Sequence, residues 1–196
     1  MTDSGVRLGA AERRTQLLGA ARETFGTKGF TATSMNDVAD SAGVTKPVLY
    51  QHFDSKHQLF LELLTDTAAQ LTAAVGQAVE ASATGREKIE NGFLAYVSFF
   101  GDSPTDYQVF YGEGVRTEPE FAEAHQSFND SLHQFTAEHI DIDTLDADHK
   151  TLAATAIAGL LEAVVGQWIK SGQPQTAEDI ANLLSSLAWR GLRGTS

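Results

Sequence analysis

The sequence predicts an all-α fold of about nine helices, a three-helix N-terminal head followed by a larger helical body. Three observations predict it. Only four prolines interrupt 196 residues that are rich in Ala, Leu, Glu and Gln, side chains that lose little freedom in a helix. Apolar residues recur at helical spacing, and no segment sustains the two-residue alternation of a half-buried strand or shows an Asn-Gly or Asp-Gly hairpin turn. Helix-capping signatures stand ahead of most of the periodic stretches.

Each element follows from these signals. Ala11 to Lys28 carries Leu17, Leu18, Ala21 and Phe25 at helical spacing, and Gly29 suits the position just past a helix end. Thr33 or Ser34 caps a short helix through Ala42 that ends at Gly43. Thr45 caps the next, to about Phe53, with Pro47 in the first turn, where its missing N–H forfeits no helical bond. Ser55 with Gln58 opens a long helix to about Ala81, apolar at Leu59, Phe60, Leu63, Leu64, Leu71, Val75 and Val79. Thr84 with Glu87 opens one to about Phe100, and Ser103-Pro104 a short one. Thr117 with Glu120 opens one to about Ile140, Asp146 one to Lys170, and Thr176 the last, to about Leu192. The expected domains are residues 1–54 and 55–196.

A net charge of −12 argues at first against a nucleic-acid partner. The charge is unevenly spread, however. Residues 1–60 hold seven bases and six acids, a net of +1, while residues 61–196 hold seven bases and 20 acids, a net of −13. Such asymmetry points to separate partners for the two segments. With no cysteine, disulfide scaffolds, thiolate metal sites and cysteine nucleophiles are excluded. Met1 to Ala10 lacks the apolar stretch of a secretory signal. The run Ala153 to Val165, broken by Thr155, Gly159 and Glu162, is shorter than the ~20 residues of a membrane span. A cytoplasmic protein without a membrane partner is expected.

Residues 35–49 are the most informative stretch. Counting Met35 as first, Val38 falls fourth, Ala39 fifth, Gly43 ninth, Val44 tenth and Leu49 fifteenth. Ala39 lets two helices approach, Gly43 can take the positive φ of a three-residue turn, and Val38, Val44 and Leu49 lock the pair against the helix of Leu18 and Phe25. This is helix-turn-helix spacing, in which the second helix enters a major groove. The outer face of that helix offers Lys46, Val48, Tyr50, Gln51 and His52, flanked by Lys56, with hydroxyls at Thr33 and Thr45. The alternative is a helical hairpin whose polar face is merely solvated.

The stretch from Thr31 to Leu59 resembles the TetR family of bacterial transcriptional regulators. Its most specific parts are Gly43-Val44-Thr45, then Leu49-Tyr50-x-His52-Phe53, then Ser55-Lys56-x-x-Leu59, with Phe25-x-x-x-Gly29-Phe30 ahead of them. The similarity covers about residues 12–64. The resemblance implies a homodimer that binds a palindromic double-stranded DNA operator and is released by a small ligand, most simply a repressor. It places Lys46, Pro47, Val48 and Tyr50 at bases or nearby backbone, and Thr33, Thr45, His52 and Lys56 at phosphates. Pro47 stands where many members have Gly, which bears on base preference there. Arg7, Arg13 and Arg14 are candidates for a basic arm, or for ordinary solvated charge.

Ten aromatic residues fall between Phe93 and Phe135. At helical spacing such a stripe reads as core as readily as pocket. The resemblance puts a mainly apolar ligand cavity among helices of this region, with Phe93, Tyr96, Phe100, Tyr107, Phe110, Tyr111 and Phe128 as candidate lining. Glu162 and Arg116 are candidate polar anchors, and an ordinary surface or interface charge is the alternative for Glu162. The last two long helices carry Leu152, Ile157, Leu160, Leu161, Val164, Val165 and Trp168, then Ile180, Leu183, Leu184, Leu187 and Trp189. The resemblance implies that they form a four-helix dimer interface; intramolecular core is the alternative.

Other signals fail. Asp141, Asp143, Asp146 and Asp148 lack the ligand spacing, Gly and terminal Glu of a calcium loop. His125, His133 and His139 are spaced by eight and six, which does not align them as a metal pair. No nucleophile elbow, phosphate loop or zinc-protease motif is present. No cofactor, metal or catalytic residue is therefore expected. The rival from another class is a small-molecule-binding protein or enzyme whose helix-turn-helix is purely structural.

Overall fold

A computed structural model describes residues 9–140 and 145–193. Arg7, Asp141 and Asp143 lie outside the described residues. The described chain is all-α, with ten helices in the order α1 (Ala10–Lys28), α2 (Met35–Ser41), α3 (Lys46–Tyr50), α4 (Lys56–Glu80), α5 (Gly85–Asp102), α6 (Pro104–Tyr111), α7 (Glu113–Thr117), α8 (Pro119–His139), α9 (Ala147–Lys170) and α10 (Ala177–Arg193). The helix beyond the expected nine is α7.

Most of the sequence caps perform as such. Ser34 accepts from the Asp37 N–H while the Asp37 carboxylate accepts from the Ser34 N–H. The Lys28 ammonium and the Ser34 hydroxyl on that carboxyl hold its pKa well below the usual carboxylate range. Thr84 and Glu87 form the same reciprocal box, Ser55 accepts from the Gln58 N–H, and Asp146 accepts from the His149 N–H. Thr117 is the exception. Its hydroxyl donates to the Glu113 carbonyl inside α7, and Pro119 in the first turn sets the start of α8. At α3 the hydroxyl of Thr45 makes no capping bond.

In the head, Leu17, Val38 and Leu49 are fully buried, with Ala21, Phe25 and Ala39 beside them. Leu17, rather than Leu18, is the deepest residue of this part of α1. Gly43 sits at φ +66, and the Val44 N–H returns to the Ala39 carbonyl at 3.0 Å, so the turn closes as its spacing requires. Below the head, Phe25, Phe30, Phe60 and Phe121 form one aromatic cluster, with centroid separations of 4.6 Å for Phe60–Phe121 and 4.9 Å for Phe30–Phe121. These rings come from α1, the loop after it, α4 and α8, so the core of the head runs into that of the body.

Helix α6 joins the two halves. Gly26 of α1 lies so close to it that an added Cβ would stand 2.5 Å from the Thr105 side chain and 2.8 Å from its backbone. Beside this contact the Arg22 guanidinium donates to both oxygens of Asp106 at 2.7 and 2.8 Å and to Asp66 of α4 at 2.9 Å. On the far side of α6, Tyr107 packs against Gly166 of α9, where a Cβ would stand 2.1 Å from the phenol oxygen.

In the body, α5 packs on α4 and α10, and α8 packs on α9 and α4. Helix α10 buries Ile180, Ala181, Leu184 and Ala188 and leaves Leu183 and Leu187 more than half exposed. Helix α9 is longer than the apolar run inside it. By length and composition it could cross a membrane, and only 28% of its most apolar window is buried within the chain. Leu152 on it is 67% exposed.

Candidate nucleic-acid interface and ligand cavity

Helix α3 is short because Pro47 starts it and the chain turns away after Tyr50, so His52 sits in the turn beyond the helix. Thr45, Lys46, Pro47 and Tyr50 are exposed, and Val48 and His52 are half-buried. The Lys46 ammonium lies 5.8 Å from the centre of the Tyr50 ring, so cation and aromatic share one surface. All six reach solvent to some degree.

Two candidates stand elsewhere. Thr33 is buried, and its hydroxyl donates to the Gly29 carbonyl at 2.7 Å. Its side chain closes the turn after α1 and is out of reach of a phosphate. The Lys56 ammonium donates to the carbonyls of Phe30 and Thr33 at 2.9 and 3.0 Å and lies 4.3 Å from the centre of the Phe30 ring. Two of its three N–H groups are thereby committed to the head's own backbone. Arg14 is no free arm either. It lies over the Phe53 ring, donates to the His52 carbonyl at 2.8 Å and pairs with Glu62, while Gln16 reaches the Ala42 carbonyl at 3.1 Å. Helix α1 thus holds the ends of both helices of the motif in place.

A cavity of about 250 Å³ lies between α4, α5, α8 and α9. Of the eight expected lining residues, Phe93, Tyr96, Tyr111 and Glu162 line it. Phe100 and Phe110 are instead fully buried core, Tyr107 is buried with its hydroxyl donating to the Glu162 carbonyl at 3.2 Å, and Phe128 packs edge-on against Phe110 at 4.9 Å. Arg116 also stays off the wall, donating to the Tyr111 carbonyl at 3.1 Å. Residues the sequence did not mark complete the lining, among them Val75, Val79, Lys88, Leu132, His139 and Leu161. Their apolar members follow helical spacing, but nothing in that spacing tells a face turned to a void from one turned to a neighbour.

The Tyr96 and Tyr111 hydroxyls bond each other at 2.7 Å in the cavity wall. Burial, and for Tyr96 also the neighbouring Tyr111 hydroxyl, pushes both phenols well above the usual tyrosine range. Both are neutral, and because one donates its proton to the other, the pair offers an occupant one free O–H donor together with acceptor lone pairs. Among the described residues, no group of three or more His, Asp or Glu side chains is arranged to hold a metal ion.

Comparison with known proteins agrees with this arrangement. Residues 17–63 match the family described as bacterial regulatory proteins, tetR family. The chain is 30% identical to the HTH-type transcriptional activator FasR of Mycolicibacterium smegmatis, over 96% of this chain and 86% of that protein. It is 26% identical to the HTH-type transcriptional repressor KstR2 of the same organism, over 93% of this chain and 91% of that one. Among solved structures, a TetR-like transcriptional regulator from Rhodococcus sp. RHA1 superposes with a TM-score of 0.82 at 31% identity, over 96% of this chain and 100% of that one. The regulator FadR of Bacillus subtilis, in complex with stearoyl-CoA, superposes with a TM-score of 0.77 at 20% identity, over 89% and 96%. With a helix-turn-helix head, an apolar cavity in the body and this similarity along nearly its whole length, the chain belongs to the TetR family of bacterial transcriptional regulators.

Proposed function

We propose that this regulator is a ligand-responsive repressor that binds a palindromic operator as a homodimer and releases it when a small apolar or amphipathic molecule fills the body's cavity. The observation that carries the reading is that α6 touches both the cavity and the head. Tyr111 at its end lines the cavity, and Asp106 near its start grips Arg22 of the head. A molecule that repositions Tyr111 acts on α6, and through Arg22 on the orientation of α1, which holds the recognition helix. Such coupling is typically worth about 1–3 kcal/mol, or roughly 5–150-fold in operator affinity.

The DNA face is Thr45, Lys46, Pro47, Val48, Tyr50 and His52, with Thr33 and Lys56 acting inside the head. The exposed apolar faces of α9 and α10, with Leu152, Leu183 and Leu187, support pairing with a second copy, as does a shallow groove between the two helices lined by Leu160 and Leu187. The apolar surface of α9 is then a dimer face and not a membrane span, and the protein works on DNA in the cytoplasm. It needs no catalytic residue. The whole-chain similarity to an activator favours a second reading in which DNA binding raises transcription; a reporter gene carrying the operator separates the two.

The DNA face is tested by selecting bound duplexes from genomic fragments and measuring affinity against salt. Lys46→Ala is expected to weaken binding at all sequences and to lower the salt slope by about 0.9. Val48→Ala or Tyr50→Phe is expected to shift preference at particular base pairs by about 1–3 kcal/mol. Unchanged slope and unchanged base preference together would remove α3 from the interface.

A further inference from the structure

The cavity carries its two fixed charges at opposite ends. Lys88 lies in the first turns of α5 and Glu162 on α9, and both line the wall. Glu162 belongs to the tyrosine end, since its backbone carbonyl accepts from the Tyr107 hydroxyl and its carboxylate helps to push Tyr96, Tyr107 and Tyr111 upward. Lys88 precedes Tyr96 by eight residues on α5, a separation of about 12 Å along a helix rising ~1.5 Å per residue. Val75, Phe93, Leu132 and Leu161 make much of the remaining wall apolar.

Lys88 is half-buried and, among the described residues, has neither an ion pair nor a side-chain hydrogen bond. The acids next to it on α5 are engaged elsewhere, Glu87 in the Thr84 cap and Glu90 with Arg86. His133 and His139 also line the cavity, His139 donating its Nδ1–H to the Phe135 carbonyl at 2.8 Å, and Lys88 is the one Lys or Arg among the described lining residues. A partly desolvated ammonium beside an apolar cavity gains most from a charged acceptor. An anion at the other end would sit beside the Glu162 carboxylate, whose like charge repels it.

The geometry points to an amphipathic anion as the effector, its carboxylate or phosphate head on Lys88 and its apolar chain directed at the Tyr96–Tyr111 pair. This inference rests on the reading of the cavity as the effector site. It also fixes the direction of insertion, so that the chain end, and not the head, meets α6.

Calorimetry of the full chain with laurate, lauroyl-CoA and lauryl alcohol tests it. The wild type is expected to bind at least one of the two anions about tenfold or more tightly than the alcohol, in line with a charged hydrogen bond. Preference for laurate assigns a carboxylate head; preference for lauroyl-CoA alone assigns the phosphates. Lys88→Met should erase the preference, Lys88→Arg should keep it, and Glu162→Gln should keep or raise it. Equal binding of all three by the wild type, a preference that survives Lys88→Met, or one that disappears in Glu162→Gln overturns the assignment and leaves the apolar cavity standing. Failure of all three to bind removes the cavity reading and this inference with it.

Discussion

Asp106→Ala is the substitution whose consequence can be worked furthest. The Asp106 side chain is 4% exposed, and both of its oxygens accept from an Arg22 guanidinium whose side chain is 18% exposed. Removing the carboxylate strands most of that charge, which typically costs about 3–5 kcal/mol. Asp66 remains as a partner at 2.9 Å, but its side chain is 40% exposed and also accepts from Gln70, which puts the expected loss near the lower limit, about 3 kcal/mol. Asp106 also stands in the first turn of α6, where its loss forfeits a few tenths of a kcal/mol of helix-dipole stabilisation. For a chain of this length such a loss lowers Tm by roughly 6–12 °C. Urea unfolding of the parent, Asp106→Ala, Asp66→Asn, and the double variant Arg22→Met/Asp106→Leu measures it. Asp66→Asn is expected to cost under about 1 kcal/mol, as for exposed pairs. The double variant is expected to recover most of the single loss, because packed apolar side chains replace a buried pair at little net cost. A loss below about 1 kcal/mol for Asp106→Ala, or a double variant no more stable than Asp106→Ala itself, refutes the reasoning.

The remaining predictions concern Lys56 and His125. Lys56→Met is expected to destabilise the free protein by about 1–2 kcal/mol by leaving two carbonyls without their donor, whereas Lys46→Ala should stay within about 0.5 kcal/mol; thermal melts without DNA tell them apart. His125 packs against Phe110 and Tyr111 at 4.8 and 5.3 Å with its Nε2 buried and unpartnered, and burial lowers its pKa. Since the folded value lies below the unfolded one of about 6.5, the unfolded chain takes up the proton first. Stability is therefore full above about pH 6.5 and falls as the pH drops toward the lowered folded value. His125→Phe should flatten that fall, and a stability curve that keeps the parent's slope below about pH 6.5 would assign the loss to other groups.

What the sequence conveyed was local. The caps at Ser34, Thr84 and Asp146 and the turn at Gly43 concern bonds within a few residues, and each is found where its spacing put it. Helix α7 went unseen because five residues bracketed by Gly112 and containing Gly114 show no period, and Thr117 looked like a cap until the turn before it became helical. Thr33 and Lys56 illustrate the harder limit. Both are polar residues at the edge of the motif, and whether they face solvent or the backbone of a neighbouring loop depends on how α1 and α4 meet. The aromatic run met the same limit. Phe93 and Phe100 lie two turns apart on α5, yet one faces a void and the other solid core. Lys88 escaped notice because a charged residue near the start of an amphipathic helix reads as solvated.

The grip of Arg22 on Asp66 and Asp106 bears on how such regulators can be recombined. Both of its partners lie beyond residue 54, as do Phe60 and Phe121 of the aromatic cluster. A chimera spliced between α3 and α4 would carry the outer face of α3 intact and leave a guanidinium facing whatever the new body supplies at those two positions. Transplanting the head between relatives therefore calls for moving α1 together with the first turns of α4 and α6 as one inherited block, whereas exchanging only the outer face of α3 leaves these contacts untouched.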